Sequence, residues 1–163
     1  MAKILKSIDS IGPGIPGNLK SKIQIVATYA LNEREAKIMH ASLNAVSKQI
    51  VCDKLTKKEL RNLIILLTEK GSYCVEDDFS MGSLATYAVF SIQPWRDKEW
   101  TDYNLLTCFI EEFTHHFWGI EDEEEVKYKV LEIVKNHVDS EIFFEDLFLK
   151  DWKKGYPHLY EDE

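Results

Sequence analysis

Cysteine is scarce in this chain. Cys52, Cys74 and Cys108 are the three present, an odd number, and no C-x-x-C pair occurs. That pattern gives neither a zinc ribbon nor a thioredoxin-like pair. Long apolar runs are missing too. None approaches the roughly 20 residues that cross a bilayer, and the first residues hold no apolar stretch of the signal-peptide kind. No membrane partner is expected, and the thiols read as reduced ones of a cytoplasmic protein. Positive charge is the minority: Lys+Arg is 20 against Asp+Glu 28, a net charge of −8. Phosphate neutralisation supplies most nucleic-acid affinity, so no nucleic-acid partner is expected either. The short patches Lys57-Lys58 with Arg61, and Lys153-Lys154, read as solvated helix surface. What remains is ordinary. The chain has 163 residues, 45% of them hydrophobic and 29% charged, enough for one domain that buries a core without disulfides or metals as staples.

Residues 1–22 form an irregular arm, with Gly12, Pro13, Gly14, Pro16 and Gly17 in close succession. Lys22 to Ala27 alternates and is β-branched, which predicts a strand. A helix over about 32–49 follows, because Ile38, Met39, Leu43, Val46 and Ile50 recur at spacings of three and four. Thr56 with Glu59 opens a capping-box pattern, and Leu60, Leu63, Ile64 and Leu67 predict a second helix that ends before Gly71. Residues 72–75 and 84–92 read as strands, the second long and apolar enough to be central in a small sheet. Pro94–Trp100 reads as a loop. Helices are predicted over 102–118, stopped by Gly119, over 122–138, and over 140–153 with Phe143, Phe144, Leu147, Phe148 and Trp152 as an apolar stripe. A stripe that large must cover the core or form a homodimer contact. The expected fold is α+β: a small β-sheet with several packed helices, a single domain over 23–153, and a polar, acidic tail over 154–163.

One stretch carries chemistry. The helix at 102–118 contains Glu111-Glu112-Phe113-Thr114-His115-His116. At about 100° per residue, His115, Glu112 and His116 fall within about 140° of Glu111. Leu106, Phe109, Ile110, Phe113 and Phe117 occupy the other side. A mostly apolar helix is expected to be buried, and buried charge costs several kcal/mol unless it is paired or bound to metal. Imidazole nitrogen with carboxylate oxygen suits Zn2+, Fe2+ or Mn2+. The structural alternative is a set of i,i+4 ion pairs, Glu111–His115 and Glu112–His116. In that case a carboxylate should favour a charged imidazole and raise its pKa. The acidic run Glu121–Glu125 has its own explanation at the start of the next helix, where the dipole favours negative charge.

The segment resembles the active helix of the zincin metalloproteases, which carries H-E-x-x-H after a small sheet. Glu111-Glu112-Phe113-Thr114-His115 follows that pattern with Glu111 in place of the first His. In a second register, His116-Phe117-Trp118-Gly119-Ile120-Glu121-Asp122 resembles the H-x-x-G-x-x-[HD] continuation of the metzincins. The order of elements over about 56–138 is similar to the minimal zincins of phages and conjugative elements that cleave repressors. The resemblance implies Glu111 and His115 as zinc ligands, or His116 in the second register. It implies Glu112 as the general base, and a third ligand from the turn or the next helix, where Asp122, Glu125 and Glu132 stand. It also implies a peptide or protein substrate. With a carboxylate in the first ligand position, weak or absent hydrolysis is expected. The alternative is a non-catalytic interaction protein that keeps the stripe as an ion-pair network.

Overall fold

The computed structural model describes residues 7–10, 12–70 and 85–160. The strand expected over 72–75, with Cys74, lies outside the described residues. The class is α+β, as expected. The elements are β1 (Ile23–Ala27), α1 (Glu33–Cys52), β2 (Asn62–Thr68), β3 (Ala85–Ser91), α2 (Gln93–Asp97), α3 (Asp102–Trp118), α4 (Glu123–His137), α5 (Phe144–Leu147), a 3-10 turn (Trp152–Gly155) and α6 (Pro157–Tyr160).

Among the described residues the sheet has three strands in the order β1-β2-β3. Both pairings are parallel, with Ile25 opposite Ile65 and Ile65 opposite Ala88. The second helix of the sequence reading is therefore a strand, β2. Its Asn-Leu-Ile-Ile-Leu-Leu-Thr run is apolar at nearly every position, and a central strand buried on both faces has that composition as readily as a helix does. Half of the capping box forms, within a single turn: the Glu59 carboxylate accepts from the Thr56 amide at 2.6 Å and from its hydroxyl at 2.7 Å, while the Glu59 amide donates to the Thr56 carbonyl rather than to its side chain. β3, expected to be central, lies at one edge of the described sheet.

The arm before β1 is irregular, yet Leu19 in it is fully buried, and the Ile8 amide donates to the Ala27 carbonyl. Helix α1 is longer at its C-terminal end than its apolar spacing suggests and carries a capping box between Asn32 and Glu35. Pro94 lies in the first turn of α2, where its missing N–H costs nothing, so the expected loop is a short helix. Helix α3 runs where it is predicted. Thr101 and Asn104 cap its start, and Gly119 ends it at φ 63°, ψ 30°, a left-handed conformation that glycine adopts without strain.

The core is built around α3. Phe109, Ile110 and Phe113 are fully buried. Phe109 meets Phe90 of β3 edge-to-face at 5.0 Å between ring centres and Trp95 of α2 at 5.4 Å. Helices α1 and α4 pack on the flanks of α3. The predicted helix over 140–153 is instead broken into α5, an extended link at Phe148 and the 3-10 turn. Aromatic and Asp residues are weak helix formers, and the rings find tertiary partners that one straight helix could not reach. Leu147 and Phe148 are buried, while Phe143 and Leu149 are 66% and 76% exposed. No helix among the described residues is long and apolar enough to cross a membrane.

Candidate metal centre

The α3–α4 connection sets the geometry of the charged stripe. Glu111 and His115 are one turn apart on α3. The left-handed Gly119 reverses the chain, and Asp122 caps α4 by accepting from the Glu125 amide at 2.8 Å. That turn brings Glu123, in the first turn of α4, back against α3. Glu111, His115 and Glu123 each offer one ligand atom, and these atoms lie within 4.8 Å of one another. All three side chains are partly buried.

His115 is oriented for this position. Its Nδ1 lies 2.7 Å from the Ile120 carbonyl. A carbonyl only accepts, so Nδ1 carries the proton, and Nε2 faces Glu123 Oε1 at 3.6 Å. A backbone carbonyl that fixes the tautomer and ring plane in this way is the usual outer partner of a metal-ligating histidine. The donor set of one imidazole nitrogen and two carboxylate oxygens matches the chemistry of a divalent transition ion.

A cation already belongs to this group. Lys127, one turn after Glu123 on α4, places its ammonium 2.9 Å from Glu111 Oε1 and 3.3 Å from Glu123 Oε2. Its side chain is only 3% exposed. The rings of Trp152, Tyr156 and Phe148 surround the ammonium at 4.5, 5.1 and 5.3 Å. Burial by itself would lower the Lys127 pKa, but the bond to Glu111 and the two carboxylate charges outweigh it and hold the pKa above its ordinary value.

Glu112 stands beside the group on the wall of a cleft of about 430 Å³, lined also by Trp100, Thr107, Cys108, Phe148 and Trp152. Solvent reaches the carboxylate through the cleft mouth, while the protein around it withdraws water from the rest of its surroundings. That desolvation raises its pKa, against the pull of His115 and with help from Glu111 and Glu123. The Cys108 thiol, desolvated in the same wall and facing both α3 carboxylates, is pushed up to about 12.

Four of the residues singled out in the sequence lie elsewhere: His116, Asp122, Glu125, which is exposed, and Glu132, which pairs with Lys129 at 2.9 Å. His116 does not join the stripe. Its ring turns toward the sheet, where Nδ1 meets the Thr86 hydroxyl and Nε2 lies 3.3 Å from the Arg61 carbonyl. The hundred-degree step between neighbours is enough to carry it from the cleft to the core. Burial lowers its pKa, the reverse of the rise expected for a carboxylate-paired histidine. Asp122 is spent on the α4 cap and is not in the group. Conversely, Glu123 and Lys127 were not among the candidates. Glu123 is hidden in an acidic run with an adequate helix-dipole explanation. The usable signals were its position just past the glycine stop and the Glu123–Lys127 spacing of four. The expected i,i+4 pairs of Glu111 with His115 and Glu112 with His116 are replaced by pairs that link α3 to α4.

No protein family matches this chain, and neither a curated protein nor a solved structure does so.

Proposed function

We propose that the chain is a zincin-like metal-binding protein with weak, metal-dependent peptidase chemistry. The observation that supports this most is the convergence of Glu111, His115 and Glu123 beside a cleft that also holds Glu112. In this reading those three residues hold one zinc ion, which supplies Lewis acidity to a carbonyl in the cleft. Glu112 removes a proton from water there, and its raised pKa brings it nearer the working pH of a general base. Trp100 and Leu147, which also line the cleft, take an apolar side chain of a peptide substrate. Cys108 stays a thiol and attacks nothing. A cytoplasmic setting with reduced thiols, and a homodimer contact through the exposed Phe143 and Leu149, complete the proposal.

The test is cleavage of an unstructured peptide library by the zinc-loaded chain and by Glu112→Gln. Slow cleavage that drops about a hundredfold in the variant supports the reading, the effect typical of a lost general base. Equal cleavage by both proteins contradicts it. A second reading, a non-catalytic interaction protein, rests on Lys127: a buried ammonium between Glu111 and Glu123 makes the stripe an ion-pair network without any metal.

A further inference from the structure

Lys127 joins two parts of the molecule. On one side are the Glu111 and Glu123 carboxylates of the candidate metal centre. On the other are Phe148, Trp152 and Tyr156, three rings of the C-terminal segment. That segment has little regular structure to hold it, only α5, the four-residue 3-10 turn and α6. All three rings, Phe148, Trp152 and Tyr156, also line the cleft that contains Glu112. We propose that Lys127 and the segment 148–156 form an internal plug: the ammonium occupies the carboxylates in the resting protein, and entry of a divalent ion expels it and loosens the aromatic wall of the cleft.

A divalent ion held by Glu111, His115 and Glu123 would share both carboxylates now bonded to the ammonium, and two cations cannot occupy them together without strong repulsion in so dry a place. The lysine stem has four rotatable bonds and can withdraw, whereas the ligand side chains are fixed by the α3–α4 turn. Once withdrawn, the ammonium no longer sits against Trp152 and Tyr156, and the cation–π contacts that fasten the segment are lost. The rest of the attachment is concentrated at the start of the segment, where Phe148 is buried in the core beside Phe144 and Leu147, and Trp152 packs against that core; beyond Trp152, Lys153 reaches back to Glu124 at 3.4 Å, both partly exposed. The device is autoinhibitory, since the cleft is narrowest while the carboxylates hold the lysine. This inference rests on the metal-binding reading and adds to it a rule for when the site opens.

The test uses the full chain with zinc chloride and trypsin. Lys150, Lys153 and Lys154 lie in the segment, and the exposed Lys57 and Lys58 serve as an internal reference for trypsin activity. Zinc is expected to speed cutting at the three segment sites at least fivefold relative to Lys57 and Lys58. Lys127→Met should show fast cutting without zinc and bind zinc at least tenfold more tightly, by competition with a chromophoric chelator. Where that variant does not fold, Trp152→Ala, which keeps the lysine but opens its cage, should still bind zinc more tightly than wild type. The plug is overturned if His115→Ala abolishes zinc binding while cutting of the wild-type segment is indifferent to zinc. Zinc affinity that is absent, or unchanged by His115→Ala, overturns the metal reading and the plug with it.

Discussion

The two faces of α3 are built on opposite principles. One face, Phe109, Ile110 and Phe113, is dry and packed edge-to-face on Phe90 and Trp95. The other, Cys108, Glu111, Glu112 and His115, meets α4 and the C-terminal segment through a buried ammonium and a cleft of about 430 Å³. The first face is stabilised by area and shape alone. On the second, Glu111, His115 and Lys127 are stabilised only while each has a partner, because an uncompensated buried charge costs several kcal/mol, while Glu112 is open to solvent. The dry face therefore tolerates changes of condition and resists changes of shape, and the charged face does the reverse.

The largest effect that would break this contrast is on the dry face. Phe109→Ala should cost about 3–5 kcal/mol in denaturant unfolding, at any pH and with or without metal. A loss below about 1 kcal/mol would mean that the aromatic cluster is not the core. Next comes Lys127→Ala, which leaves Glu111 and Glu123 facing each other. It should cost about 3 kcal/mol without metal, and added zinc should recover much of it, a recovery that Phe109→Ala must not show. The wild-type lysine also sets an alkaline limit. Its pKa is raised in the fold, so its contribution is complete below the unfolded value and is lost as pH rises through the folded one. Unfolding titrations from pH 9 to 12 should show that loss in wild type and not in the variant.

A smaller effect belongs to His116. Its folded pKa is lowered by burial, so its neutral form is favoured; that contribution is present above the unfolded pKa and lost as pH falls through the folded one. Stability should thus fall between pH 7 and 5, and His116→Gln should flatten that slope. The smallest effect is at Glu112. Its folded pKa is raised, so its favourable contribution exists below the unfolded value and disappears as pH rises through the folded one. Glu112→Gln should therefore raise the melting temperature slightly at pH 7 and leave it unchanged at pH 4; a fall at pH 7 would contradict the desolvation of this carboxylate.

The dry face of α3 was legible in the sequence, and so were its limits, near residue 102 at one end and Gly119 at the other. These are local signals, apolar spacing and a left-handed stop; the Thr101–Asn104 cap went unread. The failures are non-local. Residues 62–68 carry leucines that suit helix or central strand equally, and only pairing with β1 and β3 decides. Residues 140–153 have a helical stripe, but their rings are drawn to Lys127 and Tyr128. At the site, Glu111, Glu112 and His115 could be picked out because one helix carries them. Glu123 and Lys127 were missed: the glycine stop and their spacing of four hint at them, but their place beside α3 depends on the angle of the α3–α4 turn. His116 was misassigned because an arc on a helical wheel does not say where the cleft ends and the core begins.

The account stands on the convergence of Glu111, His115 and Glu123, and Glu123 is the residue that the fold rather than the sequence contributes. Calorimetric titration of the metal-free full chain with zinc, beside His115→Ala and Glu123→Gln, tests it directly. The account predicts one ion per chain in wild type and at least a tenfold weaker affinity in each variant. No saturable binding, or binding that Glu123→Gln leaves untouched, would contradict it and leave Lys127 as the only cation this site holds.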